Sequence, residues 1–136
     1  MKADFTYEMV FSFEGPNLCL LGNEEDFKKI ATAILELTIP NKPHDVELLR
    51  LDFIENIGRK INIIFSSRPK SKYLGKILNN GEVLIFELDA RYWERIFKYF
   101  VLMTWAKKTY YLNTNEDCLL DLELDQECNL ICSSEF

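Results

Sequence analysis

Residues 79–104 read NNGEVLIFELDARYWERIFKYFVLMT and contain the signals for a β-hairpin and a helix in succession. The Asn80-Gly81 pair is a strong signal for a β-hairpin, which we expect to join strands at about residues 76–78 and 82–88. The middle of the second strand is apolar on both faces. Such a strand is typical of the interior of a sheet, so the stretch predicts a hairpin that supplies a central strand.

The second half of the stretch predicts an amphipathic helix at about residues 90–107, capped by Asp89. The side chains expected to face the core recur at helical spacing and are Trp93, Ile96, Phe97, Phe100 and Thr104. The opposite side is not polar throughout, because Tyr92 and Tyr99 lie on it. These tyrosines are either exposed aromatic anchors for a partner or side chains that pack against a neighbouring loop.

The N-terminal part of the chain predicts a strand hairpin followed by a helix. Large apolar side chains occupy every second position of residues 5–13, as in a strand that covers a core. Residues 14–17 have turn chemistry, so residues 18–21 should return antiparallel to the first strand. Asn23 can then cap a helix at about residues 24–37, whose first turn is acidic.

Further short strands complete the expected fold, the first two of them joined by a turn at residues 55–58. These strands are expected at about residues 45–53, 60–67, 110–112, 118–124 and 129–132. The order of elements predicts a single α+β domain over residues 1–136. We expect a largely antiparallel, twisted sheet of about six to eight strands, with the two helices packed on one face.

The charge of the chain is unevenly distributed along the sequence. The 136 residues contain 22 acidic and 16 basic side chains, for a net charge of −6, which argues against generic binding to nucleic acid. Residues 109–136 contain seven carboxylates and neither lysine nor arginine, so the negative charge lies in this C-terminal part.

A row of carboxylates within this part is the main candidate for a partner-binding surface. In residues 120–125, LDLELD, the leucines share one face of a strand and the carboxylates the other, about 6.5–7 Å apart. The candidate residues are Glu116, Asp117, Asp121, Glu123, Asp125 and Glu127. They form either a docking surface for a basic protein, with Tyr92 and Tyr99 as anchors, or simply the soluble face of an edge strand.

A basic segment precedes the Asn80-Gly81 hairpin turn. Residues 57–80 contain no acidic side chain, whereas the basic ones are Arg59, Lys60, Arg68, Lys70, Lys72 and Lys76. These side chains either protect a hairpin edge against edge-to-edge pairing or dock an acidic partner or an RNA phosphate.

The sequence offers little for catalysis or for metal binding. With a single histidine, His44, a monomer cannot build a two-imidazole metal site or a hydrolase with a separate histidine base. We expect no catalytic residue, metal or cofactor, although spacing leaves open an acid pair of the kind that glycosidases use. No apolar run is long enough to span a membrane, and no secretion signal is present, so we expect a cytoplasmic protein without membrane contact. In that compartment the four cysteines should be thiols, and they are Cys19, Cys118, Cys128 and Cys132.

Residues 5–50 resemble the opening of small immunity proteins of bacterial contact-dependent growth inhibition and polymorphic toxin systems. The landmarks are FSFEG at 11–15, LLG at 20–22, EDF at 25–27, IA at 30–31 and IL at 34–35. The resemblance implies a protein that binds and neutralises one cognate toxin domain, often a nuclease, by stoichiometric contact and without a cofactor. We expect such a protein to be a monomer or a weak dimer.

An acidic secretion chaperone or adaptor that holds an effector segment is the alternative class. Such chaperones are also small α+β proteins, but they characteristically open with a helix, whereas this sequence opens with a predicted strand hairpin. The opening therefore favours the immunity protein.

Overall fold

The computed structural model of the chain describes residues 1–10, 13–68, 75–112 and 127–135. Over these ranges the chain forms two α-helices and two mixed β-sheets, of five and four strands. The predicted α+β class is confirmed, with two sheets in place of the single sheet expected. The elements are β1 (Lys2–Thr6), β2 (Asn17–Leu21), α1 (Glu24–Ile34), β3 (His44–Glu47), β4 (Glu55–Asn56), β5 (Asn62–Ser67), β6 (Gly75–Asn79), β7 (Val83–Leu88), α2 (Ala90–Leu102), β8 (Thr109–Tyr111) and β9 (Asn129–Ser133).

The five-stranded sheet has the order β4-β1-β2-β9-β8. Strands β1 and β2 pair antiparallel, as the opening hairpin predicts, but β9 joins β2 in parallel and β4 joins β1 in parallel. The register places alternate side chains on one buried face, and these are Ala3, Phe5, Leu18, Leu20, Leu130 and Cys132. The expectation of a largely antiparallel sheet is therefore wrong for this sheet, because its C-terminal strand inserts in parallel beside β2.

The four-stranded sheet has the order β3-β5-β7-β6. The Asn80-Gly81 turn joins β6 and β7 as predicted, with Gly81 at a φ of 87°, where glycine avoids the strain of a side chain. Strand β7 lies between β5 and β6, which confirms its interior position. One face of the sheet is buried in the core, whereas the other carries a half-buried apolar row of Ile64, Ile85 and Leu78.

Both helices begin at the residues that the sequence indicates. Asn23 and Asp26 form a capping box at the start of α1, and Asp89 caps α2. Helix α2 ends at Leu102, where the chain forms a turn, and not at about residue 107 as predicted. Phe27 of α1 contacts Phe100 of α2 with ring centroids 5.7 Å apart, so the two helices pack against each other.

Other predicted elements differ in the structure. The strand expected at about residues 45–53 ends at Glu47, and the strand expected at about residues 118–124 lies outside the described residues. The first strand ends at Thr6 rather than at residue 13, and beyond it Tyr7 and Met9 are 42% and 64% exposed. The chain leaves the sheet there because the buried side chain of Asn17 binds the carbonyl groups of the following loop. The predicted turn at 55–58 instead begins with β4, which pairs with β1.

Candidate partner-binding surface

Glu127 is the member of the predicted carboxylate row that the structure describes. Its backbone N–H donates to the carbonyl oxygen of Ile77 at 3.0 Å, and its Oε2 accepts the backbone N–H of Asn79 at 2.5 Å. Glu127 therefore lies along the outer edge of β6, where a charged side chain also discourages edge-to-edge pairing. The other members of the row lie outside the described residues, namely Glu116, Asp117, Asp121, Glu123 and Asp125.

The two tyrosines of α2 are not a pair of exposed anchors. Tyr92 is only 4% exposed, with the guanidinium of Arg95 5.3 Å from its ring centre, so of the two alternatives it is a packed side chain and not an exposed anchor. Tyr99 is half-buried and meets the ring of Tyr110 edge to face, with centroids 4.7 Å apart. Strand β8, which follows α2, covers part of the helix face that carries Tyr99. The buried surface of α2 is therefore wider than a single apolar stripe.

Tyr7 provides the exposed aromatic side chain beside Glu127. The side-chain amide of Asn79 donates to the Tyr7 hydroxyl at 3.2 Å, and the guanidinium of Arg59 lies 4.8 Å from the centre of the Tyr7 ring. The ring of Phe5 meets that of Tyr7 edge to face at 5.2 Å. Tyr7 is thus held by three neighbours while 42% of it remains exposed.

An apolar groove of about 350 Å³ adjoins Asn79 and Glu127. Its apolar lining comes from the outer faces of β6 and β7, where Leu78 and Ile85 are direct partners across the two strands. We call the combined region the Tyr7 surface, and define it as Tyr7, Arg59, Asn79, Glu127, Leu78, Val83 and Ile85. It joins side chains of the four-stranded sheet with Tyr7, which follows β1, and Arg59, which follows β4.

Close packing of the chain after β4 places Arg59 beside Tyr7. The backbone N–H groups of Ile57 and Arg59 donate to the carbonyl groups of Ala3 and Phe5, both at 2.9 Å. Between them, Gly58 lies so close to β1 that a Cβ atom would come within 2.4 Å of the Phe5 nitrogen. Glycine at this position therefore permits the approach that stacks Arg59 on Tyr7.

A hydrogen-bond network around the buried Asn17 holds Glu8 and Phe13, which follow Tyr7 in the chain. Asn17 is fully buried, and its Nδ2 donates to the carbonyl oxygens of Glu8 and Phe13, each at 3.1 Å. Its Oδ1 accepts from the side-chain amide of Asn129 at 2.9 Å. Asn17 thereby ties Glu8 and Phe13 to the middle of the five-stranded sheet.

The basic segment is not a uniform cationic patch in the described residues. Arg59 belongs to the Tyr7 surface, and Lys60 is exposed. Arg68 and Lys76 both approach the carboxylate of Glu87, each with a nitrogen to oxygen distance of 3.7 Å. Lys70 and Lys72 lie outside the described residues.

Three of the four cysteines are buried free thiols, and Cys118 lies outside the described residues. Burial raises the pKa of Cys19 to about 11, with a smaller contribution from the nearby Asp4 carboxylate, and raises the pKa of Cys128 to about 12. Burial also raises the pKa of Cys132 well above its ordinary value. These thiols stay protonated at neutral pH, a state in which they neither attack electrophiles nor bind metal.

His44 is tied to an acidic neighbour and does not belong to a metal site in the described residues. Its Nδ1 lies 3.3 Å from a carboxylate oxygen of Glu36. Over the ranges that the structure describes, no group of three histidine, cysteine, aspartate or glutamate side chains is placed to hold a metal ion. Nor does any helix in those ranges have the length and apolar character needed to cross a membrane.

Comparisons of the chain with models of protein families, with curated proteins and with solved structures give no significant match. Function is therefore inferred from the surface chemistry of the chain itself. The Tyr7 surface combines an exposed aromatic ring, an arginine, a carboxylate and an apolar groove, which together suit contact with another protein.

Proposed function

We propose that the chain is an immunity protein, which binds a cognate bacterial toxin domain stoichiometrically and neutralises it. The observation that carries the proposal is Tyr7, which is exposed but held by Arg59, Phe5 and Asn79. Tyrosine and arginine dominate the energetic centres of protein interfaces. A side chain that is already ordered loses little entropy on binding, so Tyr7 suits the role of an anchor.

The rest of the Tyr7 surface supports contact with a folded protein domain. The groove beside Asn79 and Glu127 has room for an apolar side chain of the partner. Glu127 offers a carboxylate at its rim, although one oxygen already accepts the Asn79 N–H. An apolar centre with charged residues around it is the usual composition of a specific interface.

The proposed partner is basic, possessing the charge expected of a nuclease domain. The net charge of −6 and the seven carboxylates of residues 109–136 favour a positively charged partner and would accelerate its association. Binding by the carboxylates from Glu116 to Asp125 is part of this proposal and rests on the sequence. We propose that the chain is located in the cytoplasm, where it would meet such a toxin.

The proposal predicts that the chain abolishes the activity of a toxin domain encoded directly upstream of its own gene. The two purified proteins should form an equimolar complex by size-exclusion chromatography with light scattering, and toxin activity should fall to zero at equimolar addition. Association should slow as salt is raised, because opposite charges steer it.

Full toxin activity in the presence of excess chain would contradict the proposal. If the chain instead binds unfolded secreted effector segments and leaves the folded toxin domain active, it belongs to the alternative class of secretion chaperones or adaptors. Cells that express the toxin domain should survive only when the chain is expressed with it.

A further inference from the structure

Trp105 forms a second exposed apolar site, after the end of α2. It is 66% exposed, the largest fraction among the large hydrophobic side chains of the described residues. Leu102, one turn earlier, is 39% exposed. An exposed tryptophan next to an exposed leucine is a marker of an interaction site, because isolated domains seldom leave such side chains together in water.

The backbone on both sides of Trp105 is fixed. The N–H groups of Trp105 and Ala106 donate to the carbonyl oxygen of Leu102 at 3.3 and 3.1 Å. The buried Ser134 then clamps the next residues: its hydroxyl donates to the Ala106 carbonyl at 2.7 Å and accepts the Lys108 N–H at 3.0 Å. Trp105 is therefore presented on a rigid turn, so binding would order little additional backbone.

Two lysines follow Trp105 closely in the chain. Lys107 and Lys108 are both exposed, and neither forms an ion pair with any residue that the structure describes. Lys98, on the preceding helix, is paired with Glu94 at 3.2 Å. The acidic neighbour on the other side is Glu135, whose carboxylate accepts the hydroxyl of Thr109. We define the Trp105 corner as Leu102, Trp105, Lys107 and Lys108.

We infer that the Trp105 corner binds an acidic segment of a protein partner, with an apolar side chain of that segment against Trp105 and Leu102 and its carboxylates on Lys107 and Lys108. This inference does not depend on the proposed toxin. Salt screens charge interactions beyond a Debye length of about 8 Å, so a short acidic segment interacts mainly with the charges nearest to it. An extended anionic surface, such as a membrane, would also meet the net charge of −6, which repels it.

The two tryptophans of the chain permit a direct test, because each indole N–H gives a separate signal in an NMR spectrum of the whole chain. The exposed Trp105→Phe substitution assigns the signals without disturbing the core. A short synthetic peptide of Glu, Asp and Leu should shift the Trp105 indole signal saturably and leave that of the buried Trp93 in place. A peptide with Lys in place of every acidic residue should not shift it.

Charge reversal distinguishes the Trp105 corner from the rest of the surface. The Lys107→Glu/Lys108→Glu variant should bind the acidic peptide about tenfold more weakly or not at all. The matched Lys28→Glu/Lys29→Glu variant, on exposed positions of α1, should bind like the wild type. An unmoved Trp105 signal, an equal shift with the basic peptide, or a shift with phosphatidylglycerol vesicles but not with the peptide would overturn the inference.

Discussion

Replacing Trp93 with alanine should lower the free energy of unfolding by about 3–5 kcal/mol. Trp93 is fully buried, and its ring lies 5.0 Å from that of Phe65 on β5. Its indole N–H also donates to the carbonyl oxygen of Ser66 at 2.9 Å. The substitution therefore leaves a cavity between α2 and the four-stranded sheet and removes the hydrogen bond to the Ser66 carbonyl, and the two losses act in the same direction.

Urea unfolding provides the measurement, and Trp105→Ala provides the control. The second tryptophan is 66% exposed, so its removal should change the free energy of unfolding by less than about 0.5 kcal/mol. Trp93→Phe should lie between the two, because it retains most of the ring contact with Phe65 but loses the hydrogen bond to Ser66. Equal stability of Trp93→Ala and Trp105→Ala would show that α2 packs on the sheet through a different face.

The second large effect is expected for Asn17→Ala, which should lower the free energy of unfolding by about 1–3 kcal/mol. Asn17 is itself fully buried and makes three side-chain hydrogen bonds, to partners that are partly exposed. The alanine variant would take the side-chain donor from the Glu8 carbonyl, whereas the Phe13 carbonyl would keep the Val10 N–H and the Asn129 amide would keep the Glu14 carbonyl. Because Asn17 itself is buried, the cost exceeds that of an exposed hydrogen bond.

Asn80→Ala is the matched control for this second prediction. The Asn80 side chain also makes hydrogen bonds, accepting the N–H groups of Glu82 and Val83 at 2.9 and 2.8 Å, but it is exposed in the hairpin turn. Its loss should cost about 1 kcal/mol or less, since water can take its place. Equal costs for the two variants in urea unfolding would show that burial does not determine the contribution of Asn17.

The elements predicted correctly are those with a local signal. Asn80-Gly81 specifies a hairpin through its backbone preferences, and Asn23 and Asp89 specify the first turns of the helices. The division into two sheets has no such signal. Whether β9 pairs with β2 or with β7 depends on side chains far apart in the sequence, and the alternation within a strand is the same for either partner.

The candidate surface was only partly predictable, because exposure depends on the neighbours of a side chain. Tyr7 continues the alternation of Phe5, so the pattern places it in a core strand, whereas the Asn17 network ends the strand before it. Tyr92 lies off the main stripe of α2, yet it is buried. Trp105 falls within the predicted span of the helix. The available sequence signal for an exposed site was that Trp105 follows Leu102 by three residues and precedes two lysines.

The role of the Tyr7 surface in toxin binding is tested by the affinity of the toxin domain for Tyr7→Ala and Arg59→Ala, measured by isothermal titration calorimetry. Each substitution should weaken binding about tenfold or more, because each removes an ordered side chain from the Tyr7 surface. The matched Leu35→Ala variant, at a 49% exposed position just after α1, should bind like the wild type. Affinities for Tyr7→Ala and Arg59→Ala equal to that of the wild type would contradict the claim that the Tyr7 surface binds the toxin.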